Sequence, residues 1–463
     1  MNQIYKIAIV VLVLFNLTET LFKVDLTKGI FLAAVIIVLF GIPFIGQSFR
    51  KITVVFLLAG LTVLIWARLP LATWMTAFNS MTGLIAILTV MQLFTVPIEA
   101  GKYNLAVGQL LKRVCKGEGS LYLFISLITN IFSSILSMGS VPIVHSLTED
   151  TVKKRINDYK RFLATSISRG FALSTLWAPG AATIFLVGQV TGVGWPRIFF
   201  PGLFLALLGI TVSSLLEFGR YKRSANRQDS VIENLVNDTE KREESKNGLK
   251  IWHIAGAIVS VVLLTLLFIR LNIGASSSSS VVLSGFLVSL TWILLLRKEP
   301  QLESGLKNYW NKGVLKAAEL APFFIAIGVF SGAFQKSSLA VLLEQSLQGF
   351  AHGLGLFAIV LIPLAIMVLA LVGLHPFISV VLLGQILMTL NLPLPAITLA
   401  LCLNLGGSIA YMLSPFAGII MTMAKFTDST AVDIAIRWNW LFCTIYFTLG
   451  ISLAYFLGMI YPF

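Results

Sequence analysis

The chain has 463 residues, 34 Lys+Arg against 20 Asp+Glu, with 57% hydrophobic and only 12% charged residues, and a mean hydropathy of +0.90. Soluble domains carry about 25% charged residues, so a soluble globular protein and a disordered chain are both excluded. The net charge of +14 sits in short basic stretches between long apolar runs, the pattern that orients a chain in a bilayer, which excludes nucleic acid as a partner.

A bilayer core about 30 Å thick takes roughly 20 apolar residues of helix. On that measure the first run, 6 to 22, follows Lys6 and holds Asn16 and Glu19; it leads into Phe22-Lys23-Val24-Asp25 with no small-residue cleavage site, and so reads as a span. Spans at 29 to 46, 52 to 67 and 79 to 100 follow. The stretch 120 to 147 is too long for one span, and 164 to 194 is interrupted by Gly and Pro. After a span at 197 to 218 comes RYKRSANRQDSVIENLVNDTEKREESKNGLK, residues 220 to 250, with eight basic and six acidic side chains: a solvated cytoplasmic linker. Spans at 251 to 270, 281 to 297 and 317 to 335 lead to two more irregular stretches, 357 to 388 and 397 to 424, and a last span covers 438 to 460.

Lys and Arg collect in cytoplasmic loops. If 120 to 147 crossed once, the basic segments 102 to 118 and 148 to 161 would face opposite sides. A re-entrant hairpin removes the conflict, and a second hairpin at 357 to 388 keeps the weakly charged segments 336 to 353 and 389 to 396 outside. This scheme puts 27 Lys+Arg inside and six outside, with Arg169 inside a membrane segment. It has about 11 transmembrane helices and two hairpins, the N-terminus cytoplasmic and the C-terminus outside.

The two hairpins share G-x-x-P followed by two apolar residues, at Gly139–Pro142 and Gly373–Pro376, offset by 234. The two interrupted helices align Trp177-Ala178-Pro179-Gly180-Ala181 with Leu413-Ser414-Pro415-Phe416-Ala417, offset by 236, a register that also pairs Gly170 with Gly406 and Ser168 with Asn404. Residues 1–28 are then an extra N-terminal helix, 29–219 one repeat and 251–463 another. Five crossings per repeat invert the second against the first, a hallmark of secondary transporters.

This arrangement resembles the ion transporter superfamily, most closely the divalent anion/sodium symporters. The resemblance rests on Ser137-Met138-Gly139-Ser140, Ala178-Pro179-Gly180, Gly373-Leu374-His375-Pro376 and Leu405-Gly406-Gly407-Ser408 with Ser414-Pro415. It implies a homodimer whose outer scaffold holds two transport domains that move as elevators. Those symporters carry Ser-Asn-Thr at both hairpin tips, whereas this chain has Ser137-Met138-Gly139 and Gly373-Leu374-His375, which leaves substrate and sodium stoichiometry open.

Irregular backbone inside hydrocarbon is tolerated only where it is buried in protein or lines a cavity. Pro142, Pro179, Pro376 and Pro415 are expected to break helices near mid-membrane, where free carbonyls suit a cation and half-helix N-termini suit an anion. The expected substrate site comprises Ser137, Gly139, Ser140, Thr175, Ala178, Pro179, Gly180, Gly373, His375, Pro376, Ser379, Asn404, Ser408, Ser414 and Pro415. Ser134, Ser137, Ser174, Asn404 and Gly407 are the candidate Na⁺ ligands, and no other cofactor is implied. Arg169 lies about 9 Å of helix past Leu163 and either snorkels to the cytoplasmic surface or faces substrate. His375 either meets an anion or proton or bonds a neighbouring carbonyl; His145 reads as structural. Cys115, Cys402 and Cys443 are far apart and read as lipid-side or packing residues. Trp66, Trp74, Trp195, Trp252, Trp438 and Trp440 fall near span ends as an aromatic belt.

No Asp or Glu falls in the four irregular stretches, which disfavours a carboxylate-based proton antiporter and an organic-cation site. The sequence reading is a cation-coupled carrier of a small organic anion in the cytoplasmic membrane. A proton-coupled carrier or exporter using His375 is the alternative within transport. A membrane-embedded enzyme lacks the clustered acids it would need, and no G-x-x-x-x-G-K-[ST] motif for nucleotide occurs.

Overall fold

The computed structural model describes residues 2–101, 103, 117–225, 250–274, 276–338, 341–342, 345, 355–389, 392 and 394–460. Most of the 220 to 250 linker, from 226 to 249, and Cys115 lie outside the described residues. Every regular element among the described residues is helical. Eleven helical runs are long and apolar enough to cross a membrane, in keeping with the polytopic all-helical class read from composition. The eleven include Glu118–Arg155 and Ala396–Thr427 as single runs, while Ala182–Thr191, Gly355–Leu371 and Pro376–Leu387 are shorter apolar pieces.

Helices α1 (Asn2–Phe22), α2 (Thr27–Gly41), α3 (Gln47–Trp66), α4 (Leu71–Asn79), α5 (Thr82–Leu93) and α6 (Thr95–Ala100) open the chain. The span expected at 79 to 100 is therefore the end of a longer, twice-interrupted run. Next come α7 (Glu118–Leu136), α8 (Ser140–Arg155), α9 (Tyr159–Ser174), α10 (Ala182–Thr191) and α11 (Trp195–Ala225). Beyond the linker lie α12 (Lys250–Arg270), α13 (Ser277–Leu295), α14 (Leu302–Asn308), α15 (Val314–Ala317) and α16 (Ala321–Gln335). The chain closes with α17 (Ala358–Leu371), α18 (Pro376–Thr389), α19 (Ala396–Leu413), α20 (Gly418–Thr427) and α21 (Trp440–Ile460).

Packing sorts these helices into two groups. In one, α16 lies against α2, α3 and α4, while α13 lies against α5 and α12. In the other, α7 packs on α8, α9 and α11, and α19 packs on α17, α18 and α21. The long arm of each broken helix packs on the short arm of the other: α9 on α20, and α19 on α10. Apolar side chains drive this burial, and α19 shows how completely: every residue from Thr398 to Met412 is buried. Free carbonyls and amides cannot be left in such a place without partners.

Local chemistry sets the helix ends. Ser276 caps α13, its Oγ accepting the Ser279 N–H at 3.2 Å. Lys153, Lys154 and Arg155 occupy the last turn of α8, where cations complement the helix dipole. Pro142 and Pro376 do not break helices, contrary to expectation. Pro142 sits in the first turn of α8 and Pro376 is the first residue of α18, positions where the missing N–H would be unpaired anyway. The α7–α8 turn is instead made by a 3₁₀ segment, Ser137–Gly139. Ser137 there has φ 48° and ψ −133°, and Gly373 in the α17–α18 turn has φ 106°.

Candidate functional site

The chain loses helical structure between Ser174 and Ala182, and again between Leu413 and Gly418. Pro179 and Pro415 lie in these two gaps, so both helix breaks fall where the prolines place them. Each gap is tied to a carbonyl of the neighbouring helix pair, once by a backbone N–H and once by a side-chain hydroxyl. The Gly180 N–H donates to Ser134 O at 3.0 Å, and Ser414 Oγ donates to Ala370 O at 2.6 Å. Ser134 and Ala370 are 236 positions apart. A Cβ at Gly180 would stand 2.5 Å from Ser134 O, so only glycine allows this approach. Gly170 and Gly406, also 236 apart, make matching approaches: a Cβ would stand 2.6 Å from Ser126 O in the first case and 2.7 Å from Pro363 Cα in the second.

Two side chains of α19 reach across to the first break. Asn404 Nδ2 donates to Leu176 O at 2.8 Å, and Ser408 Oγ donates to Ala172 O at 2.9 Å. The first bond supplies a donor to a carbonyl in the gap itself; the second adds to Ala172 O, which already accepts from the Thr175 N–H at 3.2 Å and the Thr175 hydroxyl at 2.7 Å. On the α9 side, Asn130 Nδ2 donates to Gly170 O at 3.1 Å, and Trp177 Nε1 donates to Asn130 Oδ1 at 3.2 Å. Ser133 and Ser140 share a 2.6 Å hydroxyl contact, and Ser140 Oγ also reaches Ser137 O at 2.8 Å.

Two buried oxygens here have no hydrogen-bond partner, Asn404 Oδ1 and Ser379 Oγ; Thr183 Oγ1 stands beside the Tyr411 hydroxyl. A Cβ at Gly407 would sit 3.0 Å from Val380 Cγ2 and 3.3 Å from Thr183 Cγ2. Gly407 thus brings the first turn of α10 against α18 beside Ser379, and it shares a helix face with Asn404, three residues earlier. Neutral oxygens of this kind suit a hard monovalent cation. Among the expected Na⁺ ligands, Asn404 and Gly407 lie at this point. The hydroxyls of Ser134 and Ser174 bond Ile131 O and Phe171 O at 2.7 Å each. Thr183 escaped the sequence reading; its one signal is a hydroxyl in the first turn after a break.

The tips meet the breaks. Met138 Cε lies 3.9 Å from where a Gly418 Cβ would be, and Phe416 ring carbons 3.8 Å from that of Gly373. The half-buried His375 ring packs against Phe49, Phe377 and Tyr411, at centroid distances of 4.9, 4.9 and 5.9 Å. Its Nδ1 accepts the Phe377 N–H at 3.3 Å, a backbone amide where one of the two sequence alternatives had a carbonyl, so the ring proton belongs on Nε2. The two helix groups meet through polar ties. Gln189 Nε2 donates to Ser80 O, and Ser331 Oγ to Gln385 Oε1 at 2.5 Å. Lys316 Nζ lies 3.0 Å from the Cβ position of Gly139.

Arg169 neither snorkels nor faces an open site. It is 1% exposed and every nitrogen is engaged. Nε donates to Asn439 Oδ1 at 2.8 Å and Nη2 to Trp438 O at 2.8 Å. Nη1 reaches Tyr122 Oη at 3.2 Å, Ser213 Oγ at 3.0 Å and Glu217 Oε1 at 3.2 Å. Arg161 Nη2 joins the same Glu217 oxygen at 3.3 Å, and the Phe442 ring lies 4.7 Å from the Arg169 guanidinium carbon. Glu217 was hidden at the end of an apolar span. His145 lies 3.6 Å from Glu149, with its ring tilted 31° against Phe426. Cys402 and Cys443 are buried packing residues and do not face lipid. Trp195 is likewise buried, against Phe185 and Phe199, and departs from the expected belt. Among the described residues no group of three His, Cys, Asp or Glu is placed to hold a metal.

No family model matches the chain, and no curated protein does. Solved structures do. The YdaH transporter of Alcanivorax borkumensis, described as having an unusual topology, aligns with a TM-score of 0.61 at 12% identity, covering 89% of this chain and 99% of that one. MtrF of Neisseria gonorrhoeae, described as illuminating a class of antimetabolite efflux pumps, aligns with a TM-score of 0.56 at 13% identity, covering 89% and 96%. The chain shares their helical membrane fold.

Proposed function

We propose that this protein is a secondary active transporter for a small carboxylate-like organic anion in the cytoplasmic membrane, coupled to Na⁺. The single observation that carries the reading is the crossing of the two helix breaks. There Asn404 and Ser408 of one broken helix hold carbonyls of the other, and Asn404 Oδ1 and Ser379 Oγ are left buried and free, with Thr183 Oγ1 beside the Tyr411 hydroxyl. Unpartnered buried oxygens cost about 1–3 kcal/mol each, and a bound cation offsets that cost. The N-termini of α10 and α20 begin at the same breaks and offer N–H groups to an anion.

In this reading, α7–α8 and α17–α18 are re-entrant hairpins of two inverted repeats, with the N-terminus inside and the C-terminus outside. The acceptors of the two ties, Ser134 O and Ala370 O, stand at corresponding positions and support it. The helices around α3 and α16 form the scaffold, in a homodimer, and the broken-helix group moves against them as an elevator, with the Gln189 and Gln385 contacts made and broken in each cycle. Efflux by proton coupling through His375 is the second reading, favoured by the similarity to MtrF.

A thermal-stability scan of purified protein in Na⁺ and in choline, at two pH values and across mono-, di- and tricarboxylates, tests both, because a ligand of the folded state raises stability by mass action. Stabilisation by Na⁺ that deepens with one carboxylate is expected. A pH-dependent ligand response without a sodium effect would replace sodium by protons.

A further inference from the structure

Away from the helix breaks, α12 and α13 flank an open groove of about 630 Å³. Its long wall is apolar, with Ala257 and Leu264 on one helix and Leu287 and Leu295 on the other. Its ionisable side chains gather at one end, in Tyr103, His253 and Glu299, while the hydroxyls of Ser260 and Thr291 lie further along the wall. This end lies where both helices leave the apolar run: α12 starts at Lys250, and α13 ends at Leu295, just before Arg297 and Lys298. Trp252, 73% exposed, marks the same level, the depth at which tryptophan sits at a membrane interface.

The dimensions fit one leaflet. From His253 to Leu264 is eleven residues, about 16 Å of helix, and half of a bilayer's hydrocarbon core is about 15 Å. The groove therefore runs from headgroup level to mid-bilayer and stops.

The polar end is built, not incidental. Trp292 Nε1 donates to Tyr103 Oη at 3.1 Å, and Tyr103 Oη lies 3.0 Å from His253 Nδ1. Tyr103 Oη accepts from the indole and keeps its own proton to give; in the tautomer in which His253 Nδ1 accepts it, Nε2 carries the ring proton. Tyr103 and Trp292 are buried and packed edge to face at 5.3 Å, which fixes the imidazole. Among the described residues that Nε2–H meets no protein acceptor, and Glu299 meets no cation. A donor and a carboxylate at the mouth of a leaflet-deep apolar slot are complementary to a phosphate oxygen and an ammonium on one amphipathic molecule.

We propose that this groove binds one phospholipid with an amine-bearing headgroup. An acyl chain lies along Ala257, Leu264 and Leu287, a phosphate oxygen accepts from His253, and the ammonium pairs with Glu299. The site is independent of the transport reading.

Native mass spectrometry of the full chain, stripped of lipid in mild detergent and then given phosphatidylethanolamine, phosphatidylcholine or phosphatidylglycerol, tests it. Wild type is expected to retain one phosphatidylethanolamine per chain in preference to the others. Glu299→Gln should lower that preference about tenfold while apolar occupancy persists, and Ala257→Trp, which fills the slot, should abolish binding of all three. Equal retention of the three lipids by wild type, or unchanged binding in Ala257→Trp, would overturn the proposal. A change of oligomeric mass in Ala257→Trp without loss of lipid would also overturn it, and would assign the groove to a second copy of the chain. Should Ala257→Trp not fold, a photoactivatable phosphatidylethanolamine on wild type gives the same decision: labelled peptides from α12 and α13 support the site, and labelling elsewhere refutes it.

Discussion

Replacing Glu217 by Gln probes the most heavily charged point inside the protein. Glu217 is 2% exposed, and its Oε1 is shared by Arg161 at 3.3 Å and Arg169 at 3.2 Å. Two guanidiniums facing one carboxylate already leave an excess positive charge in the interior. Removing the carboxylate's charge breaks both pairs while Arg169 remains held by Asn439, Trp438, Tyr122 and Ser213. The loss expected on breaking a buried pair is about 3–5 kcal/mol. One kcal/mol moves the midpoint of a 150–250-residue domain by about 2–4 °C and that of a larger chain by less, so a drop of about 3–10 °C is expected. Thermal unfolding of the detergent-purified protein, followed by intrinsic fluorescence, measures it. Arg161→Met added to Glu217→Gln should cost less than the sum of the two single changes, because it removes one of the stranded charges. A midpoint within about 1 °C of wild type in Glu217→Gln would refute the reasoning, since the carboxylate would then contribute no net stabilisation to the network that joins α7, α9, α11 and α21.

Gly180→Ala places a methyl carbon 2.5 Å from Ser134 O, so it should destabilise by about 1–3 kcal/mol and abolish uptake in proteoliposomes; normal flux would show that the first break tolerates a shift. Ser137→Gly relieves a backbone held at φ 48° and should raise the unfolding midpoint, by about 1 kcal/mol in stability terms; a lowered midpoint would mean that the serine side chain contributes more than the strain costs. Asn404→Leu removes both the bond to Leu176 O and the free Oδ1; stabilisation by Na⁺ should vanish, and a full sodium response in a folded variant would exclude Asn404 as a ligand. Pro179→Ala and Pro415→Ala should insert normally yet not transport, and wild-type rates in both would remove the breaks from the mechanism.

Several features were legible in the residues themselves. A chain with 12% charge has too little polar surface to face water, so membrane residence followed from composition. Pro179 and Pro415 removed backbone donors inside apolar runs, so the interruptions of α9–α10 and α19–α20 could be placed within a few residues. Pro142 and Pro376 misled for the same reason in reverse: a proline starts a helix as readily as it stops one, and only the neighbouring turn decides. Trp195 is misread as an interface residue because a tryptophan near a span end has the same sequence whether it meets lipid or Phe199.

What the sequence determined by itself was local and additive: the hydrophobicity of each run, the donors that proline deletes, and the small residues that permit close approach. Tertiary structure decided which groups are satisfied by which. Arg169 had no sequence neighbour to declare Glu217, 48 residues on, as its counter-ion. Nor could the chain announce that Asn404 spends its amide on Leu176 O and leaves its oxygen free. In a low-dielectric interior a polar atom's fate depends on partners brought from distant helices, and that pairing exists only once the helices have packed.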